Sequence, residues 1–127
     1  MKASEQNKCV QNKSEVSSEE ERRNAIRTLN DRFRQRLSGG QVFLTPGILE
    51  LGRGAAQAVM LKVSSFDQFD DDNDPYGEHD MGGLKHEGHR IFWKIDYYDL
   101  LLSRGSPDPA DPLVTSRVLT VMLASEY

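Results

Sequence analysis

Apolar positions along the chain follow distinct periods. Ile26, Leu29, Phe33 and Leu37 recur at spacings of three and four, the signature of one helix face. Ser17 or Ser18 stands before them as an N-cap, with Glu20 or Glu21 three residues further on, which is a capping box. Gly39 and Gly40 follow the last apolar position, as expected at a helix C-terminus. The spacing predicts a helix over 18–37. Val42 to Leu44 reads as a short strand. Thr45-Pro46 then reads as an N-cap with proline in the first helical position, opening one or two helical turns over Gly47 to Leu51 that Gly52 closes.

Two longer runs alternate. Between Ala58 and Phe66, Val59, Leu61 and Val63 fall on one side and Met60, Lys62 and Ser64 on the other, which predicts a strand. Between Arg90 and Asp99, Ile91, Trp93, Ile95 and Tyr97 alternate with Phe92, Lys94, Asp96 and Tyr98. The first set belongs on a core, the second on a mixed face. Arg117 to Leu123 is apolar on both faces. Its length also suits a helix, and Val118, Thr120 and Val121 favour a central strand. Ser106-Pro-Asp-Pro-Ala-Asp-Pro112 excludes a helix and sets the crossing into that last strand.

Residues 1–17 hold few aliphatic side chains and are expected to stay disordered. The pattern therefore predicts an α+β fold in a single domain over 18–127. One amphipathic, Arg-rich N-terminal helix packs on a small, mostly antiparallel sheet of about four strands.

Composition narrows the function classes. The 127 residues are 37% apolar and 28% charged, with a net charge of −4. No run approaches the ~18 apolar residues of a membrane span. Cys9 stands alone, so a disulfide framework is excluded. No apolar stretch follows the N-terminal lysine as a secretion signal would, and a cytoplasmic location is expected.

Charge is unevenly spread: residues 1–40 carry +3 and residues 41–127 carry −7. Arg23, Arg27 and Arg34 form a stripe beside the apolar face of the helix, with Asn30 between them. Such a stripe could contact phosphate or nucleic acid. The simpler reading is a solvated helix flank, because the net charge of the whole chain opposes DNA.

The loop from Asp67 to Asp80 is unusually acidic. It holds Asp67, Asp70, Asp71, Asp72, Asp74, Glu78 and Asp80, with His79 between the last two and His86 and His89 beyond. Clustered oxygens suit a divalent cation. An EF-hand starting at Asp70 would place Pro75 where glycine is needed and Met81 where the bidentate glutamate belongs. One starting at Asp72 would place Gly83 at that last position. Neither works. Asp74, Glu78, His79, Asp80, His86 and His89 could form a zinc site, without matching a strong motif. No cofactor is otherwise expected.

Glu78, His79 and Asp80 could alternatively act as acid and base, one carboxyl being raised by the other's charge. Asp96 and Tyr98 would join them if the loop folded over the mixed face. The bland alternative is that Asn73-Asp74-Pro75-Tyr76-Gly77 is a turn and that the flanking side chains satisfy loop amides. Trp93 and Tyr97 are expected to pack in the core, leaving Tyr98 as the exposed ring.

Four strings resemble a small bacterial family catalogued only as a domain of unknown function. They are Asn73-Asp-Pro-Tyr-Gly-Glu-His-Asp80, Phe92-Trp-Lys-Ile-Asp-Tyr-Tyr-Asp99, Ser106 to Pro112 and Arg117 to Tyr127. The resemblance begins near Ile26, includes Leu29-Asn30-Asp31-x-Phe33-Arg34 and Thr45-Pro46-Gly47, and brings no activity or residue role with it. It implies short cytosolic proteins, often of plasmids and prophages, and hence an accessory or anti-defence role exercised by binding.

The leading expectation is a non-enzymatic binding protein whose Asp70, Asp71, Asp72, Asp74 and Tyr98 engage a host or element-encoded protein with a basic surface. A small metal-dependent or acid–base hydrolase centred on Glu78, His79, Asp80 and Asp96 is the alternative. A nucleic-acid binder using Arg23, Arg27 and Arg34 comes third. No membrane contact is expected, and an exposed edge strand would permit a homodimer.

Overall fold

The computed structural model describes residues 2–127, with side chains from Ser18 onward. In chain order the elements are α1 (Lys2–Arg36), β1 (Gln41–Leu44), α2 (Pro46–Glu50), α3 (Arg53–Ser64), β2 (Met81–His86), β3 (His89–Tyr98) and β4 (Ser116–Leu123), and a 3₁₀ turn at Ala124–Glu126 follows. The disorder expected for 1–17 concerns residues outside the fully described range. The helix passes through Ser17 and Ser18 without a break, so neither serine caps its start, contrary to the capping-box reading.

The four strands form one mixed sheet in the order β1-β4-β3-β2. β1 runs parallel to β4, while β3 is antiparallel to both β4 and β2. The architecture is α+β, as expected, and β4 is central. It is flanked by β1 and β3, and residues on both of its faces are buried, which is why its sequence does not alternate.

One sheet face carries Trp93, Ile95, Leu119 and Val121 and packs against Phe33 of α1, Ile48 of α2 and Val59 and Val63 of α3. Burial of these side chains at roughly 1.5–3 kcal/mol each is the main force holding the layers together. The opposite face carries Phe92, Lys94, Asp96 and Tyr98, all partly exposed, and Lys94 Nζ lies 2.9 Å from Asp96 Oδ2.

Residues 53–64 are a helix, not the expected strand. Ala56, Val59 and Val63 are its buried positions, and Leu61 is 71% exposed. Val59 and Val63 are four apart, so they satisfy a helical stripe as well as an alternation. Leu61, apolar but outside the stripe, created the appearance of a strand.

β2 was not legible as a strand. Gly82 pairs with Trp93, and a Cβ there would fall 2.6 Å from Trp93 Nε1. The indole needs a glycine floor, and that requirement overrides the low strand preference of glycine. The turn joining β2 to β3 has Glu87 at φ 48° and Gly88 at φ 83°, the paired positive angles of a two-residue hairpin.

Two chain ends of elements are held in ways the sequence reading did not foresee. Leu37, not a glycine, takes the first left-handed position after α1, at φ 52°. Thr45 precedes α2 as expected, but its side chain makes no cap bond. Its hydroxyl donates instead to Glu126 Oε1 at 2.7 Å, and the same carboxylate accepts from the N–H groups of Leu123 and Gly47. The Thr45 hydroxyl and these amides hold the Glu126 carboxyl below its usual value.

Candidate functional site

A polar face of α1 is buried against the sheet. The stripe through Ile26 and Phe33 also contains Asn30, which is fully buried, and Arg34, which is 1% exposed. Buried polar groups of this kind need partners. Asn30 Nδ2 donates to Tyr97 Oη at 2.7 Å and to the Glu78 carbonyl at 3.0 Å, and its Oδ1 accepts from Arg117 Nε at 2.8 Å. Tyr97 Oη in turn donates to Glu78 Oε1 at 2.9 Å. Burial pushes the Tyr97 phenol far above its ordinary value, so it stays a neutral donor. Arg117 lies over the Tyr97 ring at 5.2 Å and also donates to the Pro109 carbonyl. Burial lowers its pKa relative to a free guanidinium.

Arg34 serves as an internal clasp for the end of α3. Its Nη1 donates to the carbonyls of Val63 at 2.9 Å, Ser64 at 3.3 Å and Phe66 at 2.9 Å, and its Nη2 lies 3.0 Å from Asp31 Oδ1. Its guanidinium sits over Trp93 at 5.1 Å and Phe69 at 5.4 Å. This corrects the phosphate-contact reading of the Arg stripe. Arg34 is committed to the interior, and Arg27 turns to the Gly77 carbonyl at 3.3 Å and to Asn24. Arg23 alone of the three stays exposed. A helix with roughly 100° per residue puts Arg34 one turn after Asn30, on the inward face.

His79 closes the network. Its Nδ1 lies 2.9 Å from Asp31 Oδ1 and 3.1 Å from Oδ2, and its Nε2 lies 3.5 Å from Asp74 Oδ2. Its ring stacks on Phe69 with centroids 3.7 Å apart and planes 4° from parallel. The backbone N–H donates to Asp74 Oδ1 at 3.1 Å. His79 has φ 55°, a conformation that costs a non-glycine residue of the order of 1 kcal/mol and is kept only where surroundings fix it. Here Asp31, Asp74 and Phe69 fix it.

The acidic loop thus divides. Asp74 is 7% exposed and holds the turn, accepting from Gly77 through its carbonyl and from His79 through its side chain. It is not a surface contact, contrary to the partner-binding expectation. Asp70 Oδ1 accepts from the N–H groups of Asp72 and Asn73, which makes Asp70 a turn former as well. Asp71, Asp72 and Tyr76 face solvent.

Asp80 is half-buried, and its carboxyl is raised, first by burial and then by the charge of Glu78.

Other expected groupings are kept apart. His79 lies on the α1 side of the sheet. Asp96 pairs with Lys94 on the other face, where Tyr98 also points by strand alternation, so His79, Asp96 and Tyr98 do not converge. His86 and His89 face each other across the hairpin at the far end of β2. Strand rise separates them from His79 by about 20 Å, so the three histidines cannot share one ion. Among the described residues no group of three or more His, Cys, Asp or Glu side chains is arranged to hold a metal.

Asn30, Asp31, Tyr97 and Arg117 are the site residues that the sequence reading did not single out. One signal was available: the three-and-four stripe of α1 runs through Asn30 and Arg34, and a polar pair inside an apolar stripe calls for buried partners.

Among the described residues no helix is long and apolar enough to cross a membrane. No curated protein and no solved structure matches the chain. A family described as "Protein of unknown function (DUF3768)" matches residues 44–126, from the end of β1 through the 3₁₀ turn, and takes in the acidic loop, Tyr97 and Arg117. The segment from Ile26 to Arg34, which fastens that loop, lies outside the matched range, although the chain as a whole belongs to this family of unknown function.

Proposed function

We propose that the chain is a non-enzymatic binding protein of the cytoplasm that presents Asp71, Asp72 and Tyr76 to a basic surface on a partner protein. One observation carries this reading. Glu78 bonds to Asn30 and Tyr97, His79 to Asp31, and Asp74 to His79, while Asp71 and Asp72, on the turn closed by Asp70 and Asn73, stand exposed. A fixed cluster of like charge raises association rates and selects partners by complementarity. The accessory or anti-defence role in a mobile element belongs to the same proposal.

The test is affinity capture from a bacterial lysate on the immobilised chain and on an Asp71→Lys, Asp72→Lys variant. The reading expects a captured protein that the variant loses at an unchanged melting temperature. Equal capture by both would contradict it.

A second reading, an acid–base hydrolase centred on Glu78, His79 and Asp80, draws on the raised Asp80 carboxyl, because a displaced carboxyl pKa is what a general acid needs. It expects a hydrolytic activity that is lost in Asp80→Asn. Hydrolysis that survives Asp80→Asn would exclude it.

A further inference from the structure

The end of α1, α2 and α3 surround a groove of 690 Å³. It is lined by Leu37, Leu44, Leu49, Ala56, Met60 and Leu61, together with the exposed Arg53 and Gln57. Leu49 is 58% and Leu61 71% exposed, although Ala56 beneath them is buried. Exposed leucines gathered around one concavity mark a binding surface more than leucines scattered singly do.

Size and charge point to one kind of occupant. The groove is concave and mostly apolar, as small-molecule sites are. Its volume falls within the roughly 300–1,000 Å³ of small-molecule pockets. Arg53 is exposed and forms no ion pair among the described residues, and no carboxylate lines the groove, within a region that carries −7 overall. We propose that this groove binds an amphiphilic monocarboxylate, its alkyl chain against the leucines and Met60 and its carboxylate on Arg53. The site shares no residue with the acidic loop and stands whether or not the loop binds a partner.

Calorimetric titration of the full chain with decanoate, below its micelle-forming concentration, tests the proposal, with decanol as the uncharged control. Saturable one-to-one binding of decanoate is expected. Leu61→Asp and Gln57→Trp, both at exposed helix positions, should each weaken it at least tenfold while melting as the parent chain does. Arg53→Gln should weaken decanoate about fivefold and leave decanol unchanged.

Absence of saturable decanoate binding would overturn the proposal, as would unchanged affinity in whichever of Leu61→Asp and Gln57→Trp keeps the parental melt. Equal response of decanoate and decanol to Arg53→Gln would remove the carboxylate. A dimer seen by sedimentation, broken by Leu61→Asp, in a chain that binds no decanoate would assign the groove to a second copy and overturn the small-molecule occupant.

Discussion

The two halves of the acidic loop are both rich in carboxylates and meet different fates. In residues 67–73 the carboxylates of Asp71 and Asp72 meet water. In residues 74–80 Asp74 is buried, Glu78 is bonded to Tyr97, and His79 is held between Asp31 and Asp74. The difference lies outside the loop. Asn30 and Asp31 project from α1 and supply a donor and an acceptor to Glu78 and His79 of the second half, while Arg34 beside them bonds to the end of α3. Composition cannot show which carboxylates are structural; the partner helix decides. A solvated carboxylate is available to a partner, whereas one that completes a buried network is a fold determinant.

Breaking the clasp should have the largest effect. Arg34→Met removes the donor shared by the Val63, Ser64 and Phe66 carbonyls and leaves Asp31 without its cation. A loss of about 3–5 kcal/mol is expected in urea unfolding, the size seen when one partner of a buried charged network is deleted.

Asn30→Ala comes next. It strands the Arg117 Nε–H, the Glu78 carbonyl and one bond of Tyr97. A loss of about 2–3 kcal/mol is expected from unsatisfied buried groups. Hydrogen exchange should accelerate for the amides of 74–80, and an unchanged exchange rate there would break the link between α1 and the loop.

Asp80 sharpens the comparison in the opposite direction. Its carboxyl is raised, first by burial and then by Glu78, so the folded chain holds that proton to a higher pH than the unfolded chain does. The favourable state is complete below the unfolded value of ~3.9 and is lost as pH rises through the raised folded value. Asp80→Asn should therefore stabilise the chain at pH 7 and gain nothing at pH 3. Urea unfolding at the two pH values measures this, and a loss at pH 7 would show that the ionised form is stabilised instead.

The smallest effect on stability belongs to the solvated half. Asp71→Asn with Asp72→Asn should shift unfolding by less than about 0.5 kcal/mol.

Much of the sheet was legible in the sequence. Ile91, Trp93 and Ile95 alternate cleanly because one face of β3 packs on helices while the other stays open. β4 was readable as central because Val118, Leu119, Val121 and Met122 are apolar on both faces and all four are buried. α3 was misread because Val59, Leu61 and Val63 fit period two, and Leu61 turned out to line a groove and not the core. β2 was hidden because Gly82 answers to the Trp93 ring, a contact no local pattern encodes.

Of the candidate site, the acidic loop and its turn were visible. The partition of the loop was not. Its partners on α1 lie 48 residues away for both the Asn30–Glu78 and the Asp31–His79 bonds, and Tyr97 and Arg117 reach it through tertiary packing. Periodicity places a residue on a face, and only the assembled layers decide what that face meets.

The division of the loop is tested most directly by paired urea unfolding of His79→Ala and of the double variant Asp71→Asn, Asp72→Asn. His79→Ala gives up the ring bond to Asp31, the ring's 3.5 Å approach to Asp74 and the stacking on Phe69, while the backbone bond to Asp74 stays. It should lose about 1–3 kcal/mol, as removal of a part-buried hydrogen-bonded group does, while the double variant stays within about 0.5 kcal/mol of the parent chain. Equal losses, or a larger loss in the double variant, would contradict the account.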